Sequence, residues 1–262
     1  ESEQFRLRWS SNFKFKKGEL QWNNGFTSLD RNINQFSSWD NTVLNYKYAS
    51  QNLNSDVFVK YQVANYLDVI SGVQYQYLSM AQEDPYTSIA KESSRFIIAD
   101  PYFSFVYTSQ FGLNINAGTR LNTHSVYGNQ WVYNFNPSFS FKNVPLKLMS
   151  SYSTAYITPS LYQLYSPFGN LELTPEENET AEFGFETHLL NRKIELITVV
   201  FYRNESNRFG FFTNPDTFAS NYINERPTFN AKGIEFSLKY SLFKNVTLQT
   251  NYTFTEVDAT QA

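Results

Sequence analysis

No cysteine occurs among the 262 residues, which removes a disulfide framework and thiolate metal sites without fixing the compartment. Histidine is nearly absent too: His124 and His188 stand too far apart for a recognisable metal motif. Charge of either sign is balanced, 21 basic residues against 24 acidic ones, so nothing points to nucleic acid as a partner. Long hydrophobic runs are missing. The longest, Ile194 to Tyr202, is broken by Glu195 and Thr198 and falls far short of the ~18 residues of a membrane helix. A helical membrane protein is thereby excluded. A membrane β-barrel is not, because its lumen-facing residues are polar and hold the mean hydropathy down. The sequence starts at Glu1 with neither Met nor a signal peptide, so it reads as a mature or truncated segment.

Aromatic residues are abundant, with 25 Phe, 19 Tyr and 4 Trp, and they sit in a period-2 pattern. Phe5, Leu7, Trp9, Phe13 and Phe15 alternate with Arg6, Arg8, Asn12, Lys14 and Lys16; Ile234 to Leu242 alternate with Glu235 to Ser241 in the same way. Each pattern puts apolar side chains on one face of a strand and polar ones on the other. No comparable helical period exists, so the expected fold class is all-β. Twelve strands are expected near 3–16, 19–33, 42–64, 67–80, 95–109, 111–123, 131–142, 146–156, 178–190, 192–204, 227–243 and 246–256. Soluble strands run about 5–6 residues, whereas a tilted membrane strand needs about 9–11. Length therefore favours an antiparallel transmembrane β-barrel.

The connections sort into two kinds. Short turns are expected at Lys17-Gly18, Asn65-Tyr66, Ser109-Gln110, Asn143-Val144-Pro145, Asn191 and Lys244-Asn245. Long loops are expected near 34–41, 80–94, 124–130, 157–177, 205–226 and from Val257 onward. Such alternation is the outer-membrane pattern of short periplasmic turns and long extracellular loops. It requires 42–64 to be one overlong strand, although its apolar phase slips from Leu44, Tyr46 and Tyr48 to Val57, Val59, Tyr61 and Val63. A strand standing clear of the membrane, a bulge or an extra hairpin would each produce that slip. Trp9, Trp22, Trp131, Tyr133, Tyr152 and Tyr252 fit aromatic girdles, or ordinary β-formers in a soluble core.

Candidate sites are few. Glu172, Glu176, Glu177, Glu179 and Glu182 invite an acid–base reading, since paired carboxylates about 5–9 Å apart can run glycosidic chemistry. No nucleophile elbow and no histidine at ligand spacing accompanies them. Pro175-Glu176 reads instead as the bend where a loop returns to a strand, and Glu182 and Glu186, alternating with Phe183 and Phe185, as lumen-facing. The chain is expected to be no enzyme and to hold no catalytic residue, cofactor or metal. Tyr156, Tyr162, Tyr165 and Phe168 fall in one long loop, and Phe209, Phe211, Phe212 and Tyr222 in the next. They would pack the loops together, with a few touching a ligand. Asn114, Asn116, Arg120 and Asn122 would point into the lumen, toward a polar path or a plug. Glu83-Asp84 is a weak calcium signal, and the sequons at Asn178, Asn204, Asn245 and Asn251 read as chance.

The stretch STAYITPSLYQLYSPFGNLELTPEENETAEFGFE, residues 153–186, resembles the loop-to-strand signature of TonB-dependent outer-membrane transporters. The residues carrying it are Tyr156, Pro159, Leu161, Leu164, Gly169, Asn170, Leu173, Pro175, Glu176, Glu182 and Gly184. Leu171 stands where that family usually has Pro. Phe229 to Glu235, with Gly233 and Glu235, and Asn251 to Thr255 look like the family's later strands. Within the family, Ser160 to Tyr165 are most similar to cobalamin receptors. The resemblance implies a bacterial outer-membrane location, contact with outer-membrane lipid, and import of a scarce metal complex: cobalamin, siderophore or haem. It further implies a plug domain inside a barrel of about 22 strands and the TonB energy-coupling protein as partner. Residues 1–262 would then be a partial barrel domain, lacking the plug and the first and last strands. A passive porin-like barrel and a soluble β-sandwich adhesin or carbohydrate-binding module are the alternatives.

Overall fold

The computed structural model describes residues 1–39, 41–85 and 87–260. Asp40, Tyr86 and Gln261-Ala262, which fall inside three of the expected loops, lie outside the described residues. The strands are β1 Ser2–Phe15, β2 Gly18–Ser37, β3 Thr42–Ala64, β4 Leu67–Glu83, β5 Ser88–Ile89, β6 Arg95–Thr108, β7 Leu113–His124, β8 Gly128–Ser140 and β9 Leu146–Ile157. After the helical turn α1 (Leu161–Tyr165) come β10 Glu176–Leu189, β11 Ile194–Ser206, β12 Phe209–Thr213, β13 Ser220–Asn224, β14 Thr228–Phe243 and β15 Val246–Thr260.

Twelve long strands make one antiparallel sheet in the order β1-β2-β3-β4-β6-β7-β8-β9-β10-β11-β14-β15, each strand beside its neighbours in sequence. All twelve expected strands are there. Among the described residues β1 and β15 do not pair, so the sheet is an unclosed arc of barrel wall. A sandwich would need two sheets packed face to face; among the described residues the only other sheet is the small hairpin β12–β13.

The two faces have opposite chemistry. Directly paired Phe183, Val200, Ile234 and Phe254 form one rung of the apolar face across four strands. Trp9, Trp22, Trp131, Tyr133, Tyr152 and Tyr252 share that face and stay exposed. The accessible surface is 17327 Å², against about 12,000 Å² for a compact soluble protein of this mass. An apolar face this large and uncovered is a lipid contact.

β3 settles the phase slip. Its register against β2 runs unbroken from Gly18–Tyr61 to Ser37–Thr42, and its only irregularity, at Gln62/Ala64, faces β4. No bulge or hairpin separates Tyr48 from Val57. The backbone parity holds while the chemistry switches, so Leu44, Tyr46 and Tyr48 lie on the polar face. β2 alone has 20 residues. At ~3.3 Å per residue and a tilt near 45° it rises about 45 Å, well beyond an apolar band of about 25 Å. Above the band no lipid dictates an apolar face.

The same overgrowth corrects three connections. The expected loop 34–41 is mostly hairpin, with Phe36 paired to Val43 and Ser37 to Thr42. The expected loop 124–130 is a three-residue turn between His124 and Gly128. β15 continues through Val257 to Thr260. At the opposite end turns are tight and some are conformationally demanding: Leu190, Asn191 and Arg192 all have positive φ (49°, 54° and 65°).

A candidate ligand mouth above a polar wall

Buried apolar residues are scarce among the described residues, and three of them, Phe96, Leu164 and Leu173, form a single cluster. Phe96 belongs to β6 and packs with Leu78 of β4 on the polar face. Leu164 and Leu173 come from the β9–β10 connection, and Tyr127, Leu161, Tyr165, Phe209 and Tyr222 close around them. The connections therefore fold inward over the polar face and make a small core of their own there.

Local sequence explains how. Ser160 caps α1: its Oγ accepts from the Gln163 amide at 3.2 Å while Gln163 Oε1 accepts from the Ser160 amide at 2.8 Å, the reciprocal capping box. That turn aims Leu164 into the cluster. The chain then doubles back so tightly that a Cβ on Gly169 would lie 2.4 Å from the Leu164 carbonyl oxygen. Asn170 follows, with Oδ1 accepting from the Glu172 amide and Nδ2 donating to the Tyr222 carbonyl, both at 2.9 Å. Its side chain closes the turn that a following proline would otherwise rigidify, and Leu171 stands exposed beside it.

Two connections are thereby latched together. The Tyr222 amide donates to the Phe168 carbonyl at 3.0 Å. Asn224 Oδ1 accepts from the Thr174 amide at 2.8 Å, and its Nδ2 donates to the Thr174 and Asn207 carbonyls at 2.8 and 2.6 Å. Glu176 accepts from the Phe209 amide. The latch holds an aromatic array: Phe168 to Phe211 at 5.8 Å, Phe211 to Tyr222 at 5.2 Å and Tyr162 to Tyr222 at 6.4 Å, all edge-to-face. Tyr162, Phe168, Phe211 and Phe212 remain substantially exposed, whereas Tyr165 and Phe209 pack into the cluster. Several of these residues are in regular structure and not in loops: Tyr156 is the penultimate residue of β9, Phe209, Phe211 and Phe212 lie in β12, and Tyr222 lies in β13.

The acidic run disperses. Glu176 holds the latch, Glu182 lies on the polar face beside Ser151 and Phe201, and Glu177 and Glu179 have the opposite parity. Glu83 pairs with Lys47 at 3.1 Å, and Asp84 accepts from the Thr87 amide at 2.8 Å. Among the described residues no group of three metal-ligating side chains converges.

Residues 1–262 match the family model described as TonB dependent receptor-like, beta-barrel. The chain belongs to this family. It is part of the wall of an outer-membrane β-barrel, and the uncovered apolar face is what such a location requires. The vitamin B12 transporter BtuB of Vibrio cholerae is 28% identical over 129 residues, covering 48% of this chain and 20% of that protein. Among solved structures, the copper transporter OprC superposes with a TM-score of 0.77 at 13% identity, covering 97% of this chain and 46% of that one. The siderophore receptor PirA from Acinetobacter baumannii gives 0.68 at 16% identity, covering 97% and 44%. The chain thus spans a fifth of its curated relative and under half of these solved ones.

In this TonB-dependent receptor wall the two sequence motifs meet. Ser151, Glu182, Phe201, Gly233 and Thr255 form one rung of the polar face, and Met149, Gly184, Val199, Glu235 and Thr253 the next. A Cβ on Gly233 would lie 2.6 Å from Phe201 Cζ, so the far edge of that ring reaches over the glycine. Glu186 shares the face, 3.7 Å from Lys147 and 3.0 Å from His188. Asn114, Asn116, Arg120 and Asn122 share it in β7. Arg120 donates to Gln74 at 2.9 Å, stands 3.8 Å from Asp100 and 5.2 Å from the centre of the Tyr102 ring; Tyr102 in turn donates to Asp56 at 2.9 Å. Sequence reading passed over Asn224, which carries no local signal, and the Ser160–Gln163 box, which does carry one.

Proposed function

We propose that residues 1–262 are the wall and part of the mouth of an outer-membrane receptor that binds and imports a scarce metal complex: cobalamin, a siderophore complex or haem. The energy comes from the TonB system, acting through a plug domain that occupies the lumen. The observation that carries this reading is the latched aromatic array on the inward-folded cap. Flat rings held edge-to-face bury large area at low entropic cost, and the latch keeps them preorganised. Tyr162, Phe168, Phe211, Phe212 and Tyr222 are the substrate-contact residues, with Tyr156 below them. Tyr165 and Phe209 hold the array in place.

On the same reading the polar face is the lumen wall. Asn114, Asn116, Asn122, Glu182 and Glu186 offer hydrogen bonds to the plug, and Arg120 does so through the guanidinium hydrogens left over from its wall partners. Gly184 and Gly233 make room for the wall's own atoms: a Cβ would strike the Thr198 carbonyl at Gly184, and the Phe254 carbonyl and Phe201 ring at Gly233. The chain works as a transporter wall and performs no bond chemistry. The sequence match to a vitamin B12 transporter favours cobalamin among the three cargoes.

The test is uptake by the full-length protein in outer-membrane-competent cells, with cyanocobalamin, ferric siderophores and haem offered separately. One cargo should accumulate, should stop accumulating when the proton gradient is dissipated, and should bind at least tenfold more weakly to Phe211→Ala/Tyr222→Ala. Accumulation that ignores the gradient would overturn the reading in favour of a passive pore.

A further inference from the structure

The two ends of the wall differ in charge. Short turns join β1 to β2, β3 to β4, β6 to β7, β8 to β9, β10 to β11 and β14 to β15. Lys16, Lys17, Lys142, Arg192, Lys193 and Lys244 lie in these turns, and no Asp or Glu does. The described connections at the other end carry Asp84, Glu92, Glu172, Asp216 and Glu225 against Lys91, Arg208 and Arg226. All six turn cations are exposed, and none forms an ion pair among the described residues. Turns shaped only by solubility would mix both signs.

Rings stand beside these turns at the rim of the apolar face. Phe15 stacks on Tyr61 at 6.3 Å, Tyr66 meets Tyr107 edge-on at 5.8 Å, and Phe139 meets Phe111 and Phe141 at 6.4 and 4.9 Å. Phe15, Tyr61, Tyr66, Phe111 and Phe141 are all substantially exposed. An aromatic girdle of this kind marks the level where hydrocarbon gives way to headgroups. Lys16 directly follows Phe15, and Lys142 directly follows Phe141, so the cations begin where the rings end. A lysine stem lies along apolar surface while its ammonium reaches the polar layer.

We propose that the short-turn rim is a docking surface for anionic phospholipid, its six cations holding a belt of headgroups that carry net negative charge, such as phosphatidylglycerol. Basic side chains near an anionic bilayer surface are each attracted to it, and these continue the edge of a face that already meets lipid. Their distribution fits a bilayer and not a protein partner. From the first short turn to the last the rim crosses ten strand spacings, about 50 Å at ~4.8 Å each. A protein partner of standard size covers about 800 Å² a side, roughly 30 Å across. The cations occupy four of the six turns, at both ends of that span, and are not gathered in one patch. The proposal concerns the leaflet on the short-turn side and is independent of the cargo.

The experiment uses the full-length receptor, reconstituted in vesicles of phosphatidylglycerol in excess phosphatidylethanolamine. After extraction in mild detergent, mass spectrometry counts the lipids that stay bound. Phosphatidylglycerol should be enriched at least threefold over the vesicle composition. Combining Lys16→Gln, Lys17→Gln, Lys142→Gln, Arg192→Gln, Lys193→Gln and Lys244→Gln should abolish the enrichment while β-sheet circular dichroism is unchanged. The pairs Lys16→Gln/Lys17→Gln and Arg192→Gln/Lys193→Gln should each remove part of it, and Lys91→Gln/Arg226→Gln at the opposite end should remove none. Wild-type receptor that retains lipid at the vesicle composition overturns the proposal and leaves the rim to an acidic protein. Enrichment that survives the six substitutions, or that falls equally with Lys91→Gln/Arg226→Gln, overturns it too.

Discussion

Removing the Asn224 side chain should open the cap without touching the wall. Four hydrogen bonds converge on that amide: from the Thr174 amide and hydroxyl at 2.8 and 3.2 Å, and to the Thr174 and Asn207 carbonyls at 2.8 and 2.6 Å. A net protein hydrogen bond contributes about 0.5–1.5 kcal/mol. These groups are solvent-accessible, so water replaces part of what is lost and the lower figure applies, giving about 2 kcal/mol for Asn224→Ala. That corresponds to an opening equilibrium shifted about 30-fold. Native-state hydrogen exchange on the detergent-solubilised receptor reads it directly. The reporters are the Tyr222 and Asn170 amides, which donate to Phe168 and Gln163 and not to Asn224. Both should exchange roughly 30-fold faster, while amides in β7 and β8 keep their rates, and Asn224→Asp, which keeps the acceptor, should fall between. Unchanged reporters would show that the two connections are not latched. Equal acceleration in β7 would show that the cap is not a separate unit.

Two further expectations follow from the faces and the cap. Phe183, 53% exposed in the Phe183–Val200–Ile234–Phe254 rung, should tolerate lysine poorly: Phe183→Lys near the bilayer midplane costs about 2–4 kcal/mol, seen as weaker folding into lipid vesicles, and unchanged folding would deny that this face meets lipid. His124, at the outer end of β7, has its imidazole pushed below the usual histidine range by burial. The unfolded cap therefore binds the proton more tightly than the folded one, and cap stability is intact above the ordinary value near 6.5 and declines as pH falls below it. Faster Tyr222 and Asn170 exchange at pH 5 than at pH 7, after correction for intrinsic rates, is the expected result; a pH-independent cap would contradict it.

Alternation made the wall legible because lipid on one side and a polar lumen on the other force a two-residue period on every strand. Where lipid stops, so does the signal. Asn34, Gln35 and Ser37 read as loop by composition, yet they pair in register to the hairpin tip, since above the membrane only the backbone ladder has to be satisfied. The Gly169-Asn170 pair was visible as a family marker, but its physical role needed the third dimension: the glycine clears the Leu164 carbonyl, and the asparagine reaches Tyr222, 52 residues away. Asn224 was invisible for the same reason, its partner Thr174 lying 50 residues upstream. The hairpin β12–β13 is too short for its alternation to stand out from the aromatic background.

Among the described residues, the cluster of Phe96, Leu164 and Leu173 is held together the way a water-soluble protein is. The strands below it bury little of their apolar face against protein and leave it to the bilayer. The two parts should therefore answer to different agents: bilayer thickness and detergent choice act on the strands, whereas urea, temperature and exclusion-type salts act on the cap. Such a molecule has two melting behaviours in one chain, and the cap above the polar face can be loosened while the wall beneath it stays intact.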